Sequence, residues 1–296
     1  MRRSTFKKVE PYVWMLPSII LMLSMIAVPV ITVFRLSVSE ISRSGVVKGF
    51  AGLENFQAIF TSSKFWHTLQ NTFVWTVVVV GMSTLLGFII AMVLNQRFAG
   101  RKIVRAIVVF PWATSLIIQS IVWKYIISAD FGSLNVILKK LHIISQNVNW
   151  TPSAAAYFAW ECWIGIFVTI PFVTFCVLSG LQSIDDTYYE AAEIDGAGFW
   201  KKLTKITLPL LKPSLTVSTV LNIIYVFNSF PIIWTITKGD PADKTHTLAT
   251  YLYKLAFTNG RMGQAAAVSV VGFVILCICA GVYMVLSLRA EKEDDR

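Results

Sequence analysis

Apolar residues run along this chain in blocks of about twenty or more, and nearly all of the charge falls between the blocks. The blocks lie at about 12–36, 71–94, 104–127, 154–179, 214–237 and 265–288. Wound as a helix, each is long enough to cross the roughly 30 Å of hydrocarbon in a bilayer. Only Lys124, near one end of the third block, and Glu161, inside the fourth, interrupt the charge-free interiors. Lipid imposes that depletion, because a buried charge without a partner is costly there. Trp123, Trp150, Trp160, Trp163 and Trp234 stand toward block ends, where amphipathic rings favour the interface. The pattern predicts an all-α integral membrane protein, with six transmembrane helices in one domain over 1–296.

Composition agrees: 55% of the 296 residues are apolar and 14% charged, where a soluble domain carries about a quarter as charges. The N-terminal Arg2, Arg3, Lys7 and Lys8 precede the first block as the charged region of a signal peptide would. The block itself is too long for a signal core, and no small-x-small cleavage site follows. A first helix that stays is expected. With six crossings, both termini share a side with the segments 95–103 and 180–213. That side holds 15 of the 26 basic residues, Arg97, Arg101, Lys102 and Arg105 among them. The positive-inside rule places that side, with both termini and the 180–213 segment, in the cytoplasm. The segments expected outside, about 38–70, 128–153 and 238–264, carry turn signals but are too short to be domains. The tail from Glu291 to Arg296 reads as a frayed, solvated end.

The net charge of +10 raises nucleic acid as a partner. The basic residues are spread through short loops without interleaved aromatics, which excludes it. Cys162, Cys176, Cys277 and Cys279 all lie in apolar blocks and read as small hydrophobes without metal-ligating neighbours. His67, His142 and His246 stand isolated in outer segments. No nucleophile–base pair or acidic dyad lies within a span, so no catalysis is expected.

The segment from Ser183 to Pro213 does not read as a linker. Ser183 followed by Asp186 makes a capping box for a helix starting near Ile184. The run Tyr188 to Ile194 carries it, and Gly196 and Gly198 interrupt it. A second amphipathic stretch, Phe199 to Leu208, sets Phe199, Trp200, Leu203 and Ile206 against Lys201, Lys202 and Lys205; Pro209 ends it. Two short helices joined at glycine form either a knob that a motor protein grips or an interfacial pair resting on anionic lipid.

Glu190-Ala191-Ala192, three positions to Gly196, then nine to Ile206-x-Leu208-Pro209, resembles the signature loop of permeases of binding-protein-dependent ABC importers. The longer form through Asp195-Gly196-Ala197 is similar to the carbohydrate, maltose-type branch. Gly52-Leu53-Glu54-Asn55-Phe56, Asn71-Thr72 opening span two, Pro111, Gly132-x-Leu134-Asn135 and Thr237-Lys238-Gly239-Asp240-Pro241 extend the likeness over nearly the whole chain. Asp240 replaces the second of two glycines found in many relatives, so that turn is expected to have an ordinary backbone. The resemblance implies the type I ABC importer permease fold. It implies that Glu190, Ala191, Ala192, Asp195, Gly196 and Ala197 couple to a cytoplasmic ATPase. A second homologous permease, two ATPase subunits, an external solute-binding protein and a carbohydrate substrate are the implied partners. No phosphate-binding glycine loop is present, so ATP and Mg would belong to the ATPase and this chain would hold no cofactor.

Span five carries Asn222, Tyr225, Asn228 and Ser229. Asn222, Tyr225 and Ser229 recur at helical spacing, with Asn228 flanking. Such a stripe either bonds a neighbouring helix or lines an aqueous cavity; the likeness to sugar permeases tilts the reading toward the substrate pathway. Glu161 is a pathway candidate too, or else a carboxylate at the outer interface. The competing function is a self-sufficient ion-coupled transporter, which calls for mid-membrane charges and inverted repeats that this sequence lacks.

Overall fold

The computed structural model describes residues 2–294. Its helices are α1 (Arg2–Ser37), α2 (Glu54–Phe60), α3 (Ser63–Asn95), α4 (Arg101–Val109), α5 (Leu116–Ile126), α6 (Ser133–Lys140), α7 (Ala154–Gln182), α8 (Asp186–Ile194), α9 (Phe199–Lys202), α10 (Leu208–Phe227), α11 (Pro231–Ile236), α12 (Leu248–Tyr253) and α13 (Met262–Asp294). The all-α expectation needs one correction: β1 (Ser39–Ile41) and β2 (Val47–Phe50) pair antiparallel as a small hairpin. The tail is helical as far as Asp294, so it is not frayed there; Asp295 and Arg296, like Met1, lie outside the described residues.

Among the described residues five stretches are long and apolar enough to cross a membrane: Trp14–Ser37, Ser63–Asn95, Ala154–Gln182, Phe199–Ile236 and Met262–Val285. The block expected to span at 104–127 is instead divided between α4 and α5. At the break Gln119 folds its amide back to donate to the carbonyls of Pro111 and Thr114. That satisfies backbone groups which a helix would otherwise pair and which hydrocarbon would leave unpaired. Pro171 lies inside α7 without ending it, so proline alone does not decide where such a block breaks.

The chain divides into two compact units, each assembled from two stretches of sequence. In the first, 1–62 with 252–273, Asn55 Nδ2 donates to the carbonyls of Ser37 and Ser39, both at 3.0 Å, and ties the end of α1 to β1. A Cβ at Gly263 would collide with the same Asn55 amide. Much of α1 between Tyr12 and Phe34 presents exposed apolar side chains, as a lipid-facing helix must.

In the second unit, 63–251 with 274–296, α3, α7 and α10 pack on one another. Trp75 and Val79 of α3 meet Ile164 and Val168 of α7, with Val226, Ile232 and Ile233 joining from α10 and α11. A second cluster joins Ala91 and Leu94 to Val173, Val177 and Leu211. Small residues set this packing, because helices in lipid gain nothing from burying apolar surface and rely on close contact. A Cβ at Gly87 would strike Val173, and one at Gly165 would strike Trp75.

Candidate functional site

The 183–213 segment folds as two helical pieces. The first, α8, is capped by Asp185, whose carboxylate accepts from Thr187 N at 2.9 Å. This corrects the expected capping box: the Ser183 hydroxyl donates back to Gly180 O, at the end of α7. The Thr187 N–H holds the Asp185 carboxyl below its ordinary range. At its other end α8 closes with Gly196 at φ +69°, Gly196 N bonding Glu193 O and Ala197 N bonding Ala192 O. That double bond pattern is the Schellman motif, and it places glycine where a Cβ is disfavoured. The space around Gly196 is open. Its local task is therefore to end the helix sharply.

Two contacts between side chains brace α8. Lys202 Nζ donates to Glu193 Oε1 at 2.6 Å and holds that carboxyl below its ordinary range. The Tyr189 and Thr207 hydroxyls meet at 3.0 Å. Pro209 does not end the second piece, as expected from sequence. The backbone passes from α9 through a π-helical turn, Leu203–Thr207, directly into α10. Pro209 stands in the first turn of α10, where its missing N–H is tolerated and the wider π turn absorbs the change in spacing.

Of the signature residues, Glu190, Ala191 and Ala192 ride on α8, Asp195 is its C-cap, and Gly196 with Ala197 completes the turn. Sequence reasoning placed Phe199 and Trp200 on the apolar side of an amphipathic stretch but gave no role to Tyr188 and Ile194. Ile194 is 88% exposed and Trp200 73%, with Tyr188 and Phe199 also exposed. Tyr188 and Ile194 lie outside the membrane-length stretches and Phe199 and Trp200 open one of them; exposed apolar side chains grouped in this way mark interaction surfaces. The signal was present in the sequence: apolar residues in a segment rich in Asp, Glu and Lys.

The pathway candidates do not form one surface. Asn222 is fully buried, and its Nδ2 donates to Ser83 Oγ of α3 at 2.9 Å. Helix α10 ends at Phe227, so Asn228 is its C-cap and Ser229 lies beyond it; the expected i, i+3, i+7 face is broken. Tyr225 and Asn228 are exposed, whereas Ser229 is buried. A cleft of about 850 Å³ between α3, α10 and α13 includes none of these positions, and its surface is almost wholly apolar.

Glu161 is fully buried and accepts from Thr237 Oγ1 at 2.7 Å. Thr237 Oγ1 in turn meets Thr245 Oγ1 at 2.8 Å and accepts from Gly239 N at 3.1 Å. The carboxyl thus anchors the turn after α11 to α7. The expectation of an ordinary backbone there is corrected: Lys238, Gly239, Ala242 and Asp243 all have positive φ, and the Asp240–Pro241 peptide is cis. A Cβ at Gly239 would collide with the His246 ring, which explains the glycine. His246 is buried rather than isolated, its Nδ1 3.0 Å from Thr250 Oγ1. Nearby, Asn71 donates to the carbonyls of Lys244 and His246, and Thr72 Oγ1 accepts from Leu248 N. Asn71 and Thr72 therefore lie two turns inside α3 rather than at its start. Among the described residues no group of His, Cys, Asp or Glu is placed to hold a metal ion.

The family model for the binding-protein-dependent transport system inner membrane component matches residues 83–290. A probable ABC transporter permease protein of Brucella suis biovar 1 is 43% identical over 282 residues, covering 95% of this chain and 98% of the relative. The trehalose/maltose transport system permease protein MalF of Thermococcus litoralis is 33% identical over 273 residues, covering 92% of each. A solved bacterial alginate ABC transporter, in complex with its alginate pentasaccharide-bound periplasmic protein, contains a chain of the same fold. Its TM-score is 0.83 at 22% identity, covering 97% of this chain and 98% of that one. This chain belongs to the family of inner membrane components of binding-protein-dependent transport systems. It is an ABC transporter permease of that family, and α8 with its flanking turn lies within the matched residues.

Proposed function

We propose that this permease forms half of the translocation pathway of an ATP-driven carbohydrate importer and is driven through the 183–213 loop by a partner ATPase. The observation that carries the reading is the rigidly capped α8, with Ile194 and its apolar neighbours exposed at the end of the bundle. An interfacial helix pair would instead lay such residues along the lipid surface. The Lys202–Glu193 pair and the continuous passage into α10 support a knob built to transmit force. ATP and Mg reside on the ATPase. A second permease, a second ATPase copy and an external solute-binding protein complete the assembly; the sugar-transporting relatives support the substrate class. In this reading α4 and α5 together make the sixth crossing, interrupted at 110–115, and both termini face the cytoplasm.

Purification of the tagged chain from its host in mild detergent tests the assembly. Recovery of a homologous permease and two ATPase copies per permease pair is the expected result. Transport by this chain alone in liposomes would favour the ion-coupled reading instead.

The polar residues of α10 divide between two tasks. Asn228 and Tyr225, exposed at the end of that helix, line the pathway, while Asn222 braces α10 on α3 from behind. Asn228→Leu is expected to raise the KM of uptake about tenfold, as loss of a hydrogen bond to a sugar hydroxyl does. Asn222→Leu should lower thermal stability by roughly 0.5–1.5 kcal/mol with KM unchanged. The opposite assignment of the two effects would exchange their roles.

A further inference from the structure

At the end of the bundle that carries the signature loop, α4 opens with basic residues only. Its N-cap, Gly100, offers no side-chain bond, and no acidic residue stands in the first turn. Arg101 and Arg105 lie one turn apart and both reach Gln182, the last residue of α7. With the Gln182 oxygen turned toward them, Arg101 Nη2 donates to it at 3.0 Å and Arg105 Nη2 at 3.3 Å. Both Nε atoms are buried and unpartnered. Two guanidinium charges thus converge on one neutral oxygen. Like charges at that separation repel, and a neutral amide cannot balance them. An anion would balance them.

The chemistry of that anion is narrowed by what lies below it. Along the same face of α4 the i+4 step leads from Arg105 to Val109, and Trp112 follows in the turn after the helix. Both line a mostly apolar cleft of about 740 Å³ between α4, α7 and α10, together with Phe172, Phe175, Cys176 and Val217. On α7 the cleft begins at Ser179, one turn before Gln182. Charge at one end and an apolar slot at the other, joined along one helix face, match a molecule with a phosphate and an acyl chain. A free phosphate would use the arginines and leave the cleft idle.

We propose that Arg101, Arg105 and Gln182 bind the phosphate of an anionic phospholipid whose acyl chain occupies the cleft beside Val109 and Phe175. The lipid wedges α4 against α7 at the point where the chain enters the signature loop. Each guanidinium can donate two parallel bonds to phosphate oxygens, which lysine cannot do.

The test uses the full permease with whatever partners co-purify, reconstituted into vesicles of phosphatidylcholine containing phosphatidylglycerol, then washed in a zwitterionic detergent. Lipid mass spectrometry counts the phosphatidylglycerol retained per permease. R101Q/R105Q is expected to retain about thirtyfold less than the parent, from a factor of about five for each basic residue near an anionic lipid. Cys176→Phe, which fills the cleft without touching a charge, should also release the lipid and keeps the test valid if the arginine variant folds poorly. Equal retention in the parent and both variants overturns the proposal. Displacement of the lipid by inorganic phosphate, with no effect of Cys176→Phe, would make this a free-phosphate site and overturn the lipid assignment. Unchanged lipid retention with loss of the co-purifying ATPase from R101Q/R105Q would reassign the arginines to an acidic partner surface.

Discussion

Ile194→Asp is expected to cut ATP-driven uptake by about a hundredfold, the effect of losing roughly 2–4 kcal/mol at an interface anchor, while the amount of protein in the membrane stays constant. The reasoning starts from exposure. Ile194 packs little against its own fold, since it is 88% exposed. A carboxylate there is fully hydrated in the isolated chain and becomes costly only when a partner covers it. Gly196→Trp and Glu190→Lys act at the same knob by different means, one by strain at φ +69° and the other by reversed charge. All three should leave ATPase activity uncoupled from uptake in proteoliposomes. Normal uptake in all three would remove the loop from the coupling path.

Trp75→Ala is the substitution expected to damage the fold most. The indole is 1% exposed, its Nε1 donates to Val226 O at 2.8 Å, and its ring fills the gap left by Gly165. Removing a buried indole from a soluble core costs about 3–5 kcal/mol. In lipid the transfer contribution shrinks, since hydrocarbon surrounds the helix in any case, but the cavity and the lost bond remain. Thermal unfolding in detergent, followed by size-exclusion fluorescence, should show a single large downward shift. Trp75→Phe keeps most of the ring and loses the bond, and should recover more than half of that shift. An unchanged profile for Trp75→Ala would mean that α3 and α7 are held together elsewhere.

Much of this architecture can be read from residue patterns. Five of the six apolar blocks fall on membrane-length stretches among the described residues, and the Glu190-to-Pro209 spacing carried the resemblance to the family that the chain belongs to. The internal construction of the 183–213 loop was less visible. Ser183 and Asp185 are both good caps, and the choice between them depends on where α7 stops, which its packing against α3 and α10 decides. Pro111 and Pro171 look alike in sequence, yet only the first stands at a break, because Gln119 is placed to satisfy the freed carbonyls. Asn222, Tyr225 and Ser229 seemed to share a stripe because helical spacing was extended past Phe227. The chain turns there, and Asn228 becomes a cap. The Gly239 turn was misjudged for a different reason: its backbone is dictated by the His246 ring, a contact between positions that sequence does not juxtapose.

The uninterrupted run from Phe199 through the π turn to Phe227 makes a single shaft with a handle at one end. At 1.5 Å per residue its 29 residues extend roughly 43 Å, so tilting it by about 10° about one end sweeps the other through roughly 7 Å. A flexible joint at Pro209 would have absorbed such a tilt locally. Without that joint, a small pull on α8 in the proposed coupling would arrive as a large lateral displacement at Asn228, at the far end of the same helical run.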